Sequence, residues 1–545
     1  MMKVNHISLG LCLLFLFSQG VAGQKKGLES IQKSELKLHM DILASDELQG
    51  RATGEPGLLI AARYLAAHAE KTGLKSAESA EHYFQYYTIL ERAYDWENSS
   101  IGISTSSGES EKVDQPFFIF PALRENQFEV QGEVVFAGYG VKNEENNYDD
   151  FENIDLKDKI VLIMDRAPLN EDGTVCLFGE KYMEMQNFQY KMQEIALQGP
   201  KAILLVFDPK SGYEHIGDRN PGIVNYLSKS RTLKKEETLP ARDMPGPKML
   251  LIHVEHANQL IASTGKSLEQ IQNEIDANVK PQSFLVEDVK CKIKVSMADE
   301  ELEVPNIFGY IEGSDPELKD EMLIYMAHFD HVGTDGQGGI FNGADDNASG
   351  TVALLEIAEA FIKEKKAPKR SIGFLWVSAE EIGLYGSSYF ADHPLVPIEN
   401  IAAAINMDMV GRSKTEEDRK SQRKDISVVG GDTVGVIGAL QSKVLMGINN
   451  ETLEKMNLVG DYTYNDINHP ERFFYRSDHI SFARKDIPVL FYSTGTHSDY
   501  HELTDDPEKI DYDKFLKMTK FCFMIGHNAA NYKGEILVDN PMSGW

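Results

Sequence analysis

The chain is short of cysteine, tryptophan and positive charge. Of its four cysteines, Cys12 falls in the first stretch, leaving Cys176, Cys291 and Cys522. Three thiols close at most one bridge, which excludes a disulfide-scaffolded fold and leaves stability to the core. Lysine and arginine number 55 against 85 aspartates and glutamates, a formal charge of -30. So anionic a surface repels nucleic acid and anionic lipid, and neither is an expected partner. Past the N-terminus no apolar run is long enough to cross a bilayer, so no membrane span is expected.

The one long apolar run lies at the start, from Ile7 to Phe17 after Lys3, with small residues through Val21, Ala22 and Gly23. Residues 1–23 therefore read as a secretory signal cleaved before Gln24, which places the mature protein in the periplasm or outside the cell. Cys12 lacks the preceding small residue of a lipoprotein signal, so a lipid anchor is the less favoured reading.

What is present is ordinary soluble material, 42% hydrophobic and 26% charged, and 545 residues exceed what one core organises. From Gln24 to about Glu109 the pattern reads helical: Leu36, Met40 and Leu43 repeat at one turn, then Leu58, Ala62 and Leu65, and Gly73 stops the second helix. Between them, ASDELQGRATGEPG is a polar loop that either connects or lines a cleft. From about Val113 to Pro281 short β-rich runs take over, strongest in GEVVFAGYGV, KIVLIMD, AILLVFD and KMLLIHV, with a helix over Met183 to Leu197. No cluster of histidines and carboxylates occurs there, which suits a binding or lid module as well as a purely structural one.

After Val289 to Val295 and NIFGYIEG, strands and helices alternate. The strands are LIYMA, SIGFLWVSA, IAAAINM and IPVLFYST; helices are expected over Gly350 to Lys365, Thr433 to Asn449 and Tyr512 to Asn531. Such alternation predicts an α/β fold, a mostly parallel sheet flanked by helices. It is assembled from residues 24–112 and 285–545 around an inserted β-rich domain at 113–284. The run SKTEEDRKSQRKD reads as a solvated loop.

In such sheets functional groups collect beyond the carboxyl ends of the strands. His328 follows LIYMA, Glu380 and Glu381 follow SIGFLWVSA, Asp408 follows IAAAINM, and His501 lies just past IPVLFYST. Asp345 joins them from the glycine-rich loop NGADDNASG. Two histidines and four carboxylates at one sheet edge would be intolerable as unpaired charge, and a pair of divalent ions removes the conflict.

AHFDHVG, NGADDNASG, SAEEIGLYGS, NMDMVG and SDYHELTD occur in the order found in the di-zinc exopeptidases of peptidase family 28, which this sequence resembles over its catalytic half. The insert similarly resembles a protease-associated domain. The resemblance implies two zinc ions, one held by His328 and Asp408, the other by Glu381 and His501, with Asp345 bridging both. It also implies a cis bond between Asp345 and Asp346. The ions would share an acidified water, with Glu380 as the base that moves its proton and Tyr500 as donor to the oxyanion. Asp330 is read as the acceptor that fixes the His328 tautomer.

His479 in YRSDHISF is a candidate to line the cleft, and His497 reads as loop. His331, His393, His469 and His527 are assigned to structure or solvent, and the sequons at Asn98, Asn347 and Asn450 to chance. Peptides with a free N-terminus are the expected substrates, since Arg412, Arg472, Arg476 and Arg484 form no clustered set for a terminal carboxylate. A carboxypeptidase of the same family and a single-zinc aminoacyl (glutaminyl) cyclase remain the alternatives.

Overall fold

A computed structural model describes residues 26–109, 115–120, 126–179, 182, 188–219, 224, 227–234 and 246–542. The expected signal segment, 1–23, lies outside the described residues. The chain divides into two compact units, Met1–Ile89 with Leu302–Trp545, and Leu90–Glu301.

In the first unit, helix α1 (Lys33–Leu43) buries Leu36, Met40 and Leu43, the residues spaced one turn apart in the sequence. Helix α2 (Pro56–Thr72) carries proline in its first turn and ends at Gly73, whose φ of 89° is the left-handed conformation that glycine accepts without strain. The sheet is then built from β1 (Met322–His328), helix α3 (Gly350–Lys363), β2 (Ser371–Val377), helix α4 (Tyr385–Asp392) and β3 (Ile401–Met407). It continues with β4 (Thr433–Ile437), helix α5 (Lys443–Met456), β5 (Val459–Asp461), β6 (Val489–Ser493) and helix α6 (Tyr512–Asn531).

The strand order is β5-β4-β6-β3-β1-β2, closed by the C-terminal part of the long strand Ser283–Ile311. The central pairs are parallel, with His328 opposite Val377, Met326 opposite Asn406 and Met407 opposite Tyr492. β1 and β2 are buried at every residue, which is why they read as unbroken apolar runs. Antiparallel pairs occur where β4 meets β6 and where the long strand meets β2.

Thr433–Ile437 is a strand, not the start of the expected helix at Thr433 to Asn449. Its β-branched residues add to the sheet, Gly438 breaks the chain at φ 84°, and Ser442 then caps α5. The helical reading of Gln24 to Glu109 likewise fails after Gly73, because Phe84–Tyr94 and Ser100–Thr105 alternate buried and exposed residues as strands.

The second unit is broader than the expected 113–284. Ser100–Thr105 and Gln127–Ala137 both pair with the N-terminal half of the long strand, so that half is drawn into this unit. From Gln127–Ala137 the order runs through Ile160–Met164, Ala202–Val206 and Lys248–Ile252, all parallel, to an antiparallel edge at Phe118–Phe120. Helices Phe188–Ala196, Val254–Leu260 and Leu268–Asn278 accompany them, so this unit is itself α/β and not only β-rich. The three described cysteines are buried and free. Among the described residues no helix is long and apolar enough to cross a membrane.

Candidate metal centre

Three parallel strands end nearly level, so the residues that follow them meet. His328 is the last residue of β1; Glu380 and Glu381 follow β2, and Asp408 follows β3. Two groups of ligand-type side chains form there: His328, Glu380 and Asp408, and His331, Asp346, Glu381 and His501, each with atoms within 4.8 Å of one another. Asp346 stands between them. Its Oδ1 is 3.4 Å from His328 Nε2 and its Oδ2 is 3.0 Å from His501 Nε2. His328 Nε2 is also 3.4 Å from Asp408 Oδ1, and His501 Nε2 is 3.1 Å from Glu381 Oε2.

The expected bridging residue, Asp345, belongs to neither group. Its Oδ1 accepts from the Gly411 amide at 2.7 Å, and its Oδ2 lies 3.4 Å from His497 Nε2. Asp346 is extended, φ -103° and ψ 96°, so adjacent side chains diverge and only Asp346 reaches both histidines. The cis bond joins Asp346 to Asn347, not Asp345 to Asp346.

Three histidine readings change, and the role of Asp330 widens. His331, assigned to structure, has Nδ1 2.7 Å from Glu381 Oε1 because Gly343 lets the loop pass against its ring. Asp330 does stand beside His328, its carboxylate Oδ1 3.7 Å and its backbone carbonyl 3.2 Å from His328 Nδ1, and the same carboxylate also accepts from the amides of Glu380 and Glu381 at 3.1 and 3.4 Å. His479 faces no cleft; it is fully buried, stacks on Phe491 at 4.6 Å and is pushed down to about 3 by burial. His497 is buried as well, in its pair with Asp345.

The charged run at 413–425 is not simply solvated. Asp418 accepts from the Ser498 amide at 2.8 Å, and Arg423 Nη1 donates to the Tyr500 carbonyl at 2.9 Å, so the run braces the segment that carries His501. Tyr500 stacks on the His501 ring at 4.0 Å. Burial and the carboxylates of Asp346, Glu381, Glu380 and Asp408 raise its phenol, which stays a hydrogen-bond donor. Asn347 is buried and donates to the Met407 carbonyl at 3.0 Å, which leaves no room for a glycan.

The two adjacent glutamates are driven apart. Burial, with Glu381, Asp478 and Asp408 nearby, raises Glu380 well above the usual carboxylate range. Glu381 is buried beside Asp346, but His501 and His331 outweigh both and hold it down at about 2. Burial would lower His501, yet Glu381 and Asp346 raise it to about 11.

A cation fits this donor set better than protons do. His331 Nε2, His501 Nε2 and Asp408 Oδ1 are buried without a hydrogen-bond partner, and neither group contains a lysine or arginine. Imidazole nitrogens and carboxylate oxygens are the ligands zinc takes.

Several supporting residues were missed in the sequence. Arg51, in the loop that could have been a mere connection, is buried and donates to the carbonyls of Phe329, Asn342, Gly343 and Leu43. Gly50 beside it has φ 65°, and a Cβ there would strike the Gly333 and Phe341 carbonyls. Thr53 donates to Asp330 at 3.1 Å. Ser477 donates to Asp408 Oδ2 at 2.7 Å and accepts from Asn406 at 2.7 Å. In the sequence Ser477 is marked only by its place in the SDH triplet of YRSDHISF, two residues before His479.

Residues 306–525 match the model of Peptidase family M28. Aminopeptidase Y of Saccharomyces cerevisiae is 27% identical over 246 residues, 42% of this chain and 39% of that protein. Leupeptin-inactivating enzyme 1 of Streptomyces exfoliatus is 35% identical over 107 residues, 19% of this chain and 22% of its own length. The chain thus spans well under half of these curated relatives. Among solved structures, the aminopeptidase from Aneurinibacillus sp. strain AM-1 shares the fold with a TM-score of 0.51 at 18% identity, covering 95% of this chain and 98% of that one.

Proposed function

We propose, from the match of residues 306–525 to the model of Peptidase family M28, that the chain is a zinc-dependent aminopeptidase that removes N-terminal residues from peptides. The observation that carries this reading is Asp346, one carboxylate facing His328 with one oxygen and His501 with the other. Such placement suits a ligand shared by two ions, one beside His328 and Asp408, the other beside Glu381 and His501. Bound there, divalent cations supply Lewis acidity and bring the pKa of water towards neutrality.

The side chains supply the rest. Glu380, whose proton affinity is raised by burial, takes a proton from the attacking water and passes it to the leaving amine. Tyr500, held protonated, donates to the oxyanion. His331 holds Glu381 through Oε1, which leaves Oε2 turned to His501. Asp330 fixes the backbone of both glutamates.

The preference for a free amine rests on where the guanidinium groups are spent. Arg412 is buried against Asp499 and Asp505, and Arg423 is paired with Asp425 at 2.9 Å, so a substrate carboxylate finds no free fork at either. The N-terminal apolar run supports export of the mature protein. The insert at 113–284 is read as a protease-associated domain from its likeness in sequence.

The test uses one aminoacyl amide, free and N-acetylated, with zinc counted per chain. Hydrolysis of only the free amine with two zinc ions supports the reading. Cleavage of only the blocked amide overturns it; hydrolysis of an N-acetylated peptide only where its C-terminal carboxylate is free favours a carboxypeptidase, and one zinc with cyclisation of N-terminal glutamine favours a cyclase.

A further inference from the structure

The chemistry proposed above leans on Asp346, and Asp346 leans on one residue far away in sequence. Asp505 is completely buried. Its backbone carbonyl accepts from the Ala344 amide at 2.9 Å, and its Oδ2 accepts from the amides of Asp345 at 2.9 Å and Asp346 at 3.1 Å. Three consecutive amides of the loop therefore end on a single side chain and its own carbonyl. Next to it, Asp506 Oδ1 accepts from Asn342 Nδ2 at 3.0 Å, so the 505–506 pair grips the loop from 342 to 346.

Asp505 is itself anchored. Its Oδ1 faces Arg412 Nη1 at 3.3 Å, and His497 Nε2 stands 3.9 Å away. The other end of the Arg412 guanidinium pairs with Asp499, which also accepts from Thr504 Oγ1 at 2.6 Å and pairs with Lys509. A carboxylate that orders backbone amides behind a ligand does what the outer partners of metal sites do: it sets where the ligand oxygens sit before the cation arrives.

We infer that Asp505 is a positioning residue for the metal centre, holding Asp346 where both groups of ligands can share it. The inference rests on the reading of Asp346 as the common ligand. It is distinguishable from a merely structural role because Asp346 faces both groups, so disturbing its seat weakens both ions together. Ser477, whose hydroxyl bonds Asp408 alone of the residues in the two groups, provides the contrast.

The experiment is zinc titration of the full-length protein against a chromophoric chelator, for wild type, Asp505→Asn, Arg412→Gln and Ser477→Ala, with melting of each zinc-free protein alongside. Asp505→Asn is expected to weaken both zinc affinities by about 10- to 100-fold, the range for lost outer partners of metal ligands. Its turnover should recover as free zinc is raised. Arg412→Gln, which loosens the anchor and keeps the carboxylate, should shift both affinities the same way by a smaller factor and decides the case should Asp505→Asn not fold. Ser477→Ala should weaken one ion only. Unchanged zinc affinities in both network variants, with only a lowered melting temperature, would overturn the inference. A wild type that binds no zinc would instead sink the metal-centre reading beneath it.

Discussion

Replacing each of the paired aspartates by asparagine separates their roles cleanly. In Asp346→Asn the shared carboxylate is lost, the one whose oxygens lie 3.4 Å from His328 Nε2 and 3.0 Å from His501 Nε2. An outer partner alone is worth about 10- to 100-fold in metal affinity, so a direct and shared ligand should cost at least about 100-fold at each ion, or about 2.8 kcal/mol per site. In Asp345→Asn the side-chain oxygen can still accept from the Gly411 amide, now 2.7 Å away. What disappears is a charge 3.4 Å from His497, worth about 1 to 3 kcal/mol of folding stability as the opposite charge of a buried pair. Dialysis against chelator, metal counting and urea unfolding of both variants give the readout. Asp346→Asn should emerge without zinc but folded, and Asp345→Asn with its full zinc and a lower unfolding midpoint. If Asp345→Asn lost the metal while Asp346→Asn kept it, the geometry argued for this loop would be refuted.

Glu380→Gln should retain both ions and lose about 10²- to 10⁴-fold in kcat, the usual worth of a positioned base; normal turnover would end that role. Arg51→Met leaves four buried carbonyls without their donor and should cost at least about 3 kcal/mol in urea unfolding, a loss under about 1 kcal/mol being the contrary result. Asp499 is buried, and although burial opposes it, Lys509, Thr504 and Arg412 hold its carboxyl at about 2, below the ordinary 3.8. A depressed carboxyl contributes stability that is full above its unfolded pKa and is lost as the pH falls through the folded one. The melting-temperature gap between wild type and Asp499→Asn should therefore be constant above about pH 4 and close towards pH 2. A gap independent of pH in that window would contradict the assignment.

The strands were legible wherever burial was two-sided. LIYMA and SIGFLWVSA are apolar at every position because helices cover both faces of a parallel sheet, and the structure buries every residue of the strands they form. The helix Tyr512–Asn531 was legible to the residue, since Asp511 caps it and its apolar face is continuous. The failures share a cause. In Thr433–Ile437 and Phe84–Tyr94 the pattern is mixed and short, and whether such a stretch winds or extends is decided by the sheet edge waiting for it. The extent of the insert was hidden for a similar reason, because Ser283–Ile311 is one strand whose two halves serve different units.

At the site, identity was legible and the choice between neighbours was not. His328, Glu380, Glu381, Asp408 and His501 could be found because each follows a strand whose direction is known, which fixes the end of the sheet it reaches. Asp345 and Asp346 sit in a loop turned by Gly343, where no period says which side chain faces inward. That choice depends on Asp505 taking both amides from behind and on Gly411 and His497 engaging the first carboxylate, contacts separated from the loop by at least 66 residues. Arg51 and Thr53 are harder still, being nearly 280 residues from Phe329 and Asp330, which they support. A buried arginine in a polar loop has no sequence signature apart from the glycine beside it. Most of the ligand-type side chains of this centre were thus readable from strand ends, whereas the choice of Asp346 over Asp345 and the residues that aim it are set by contacts made only once the chain has folded.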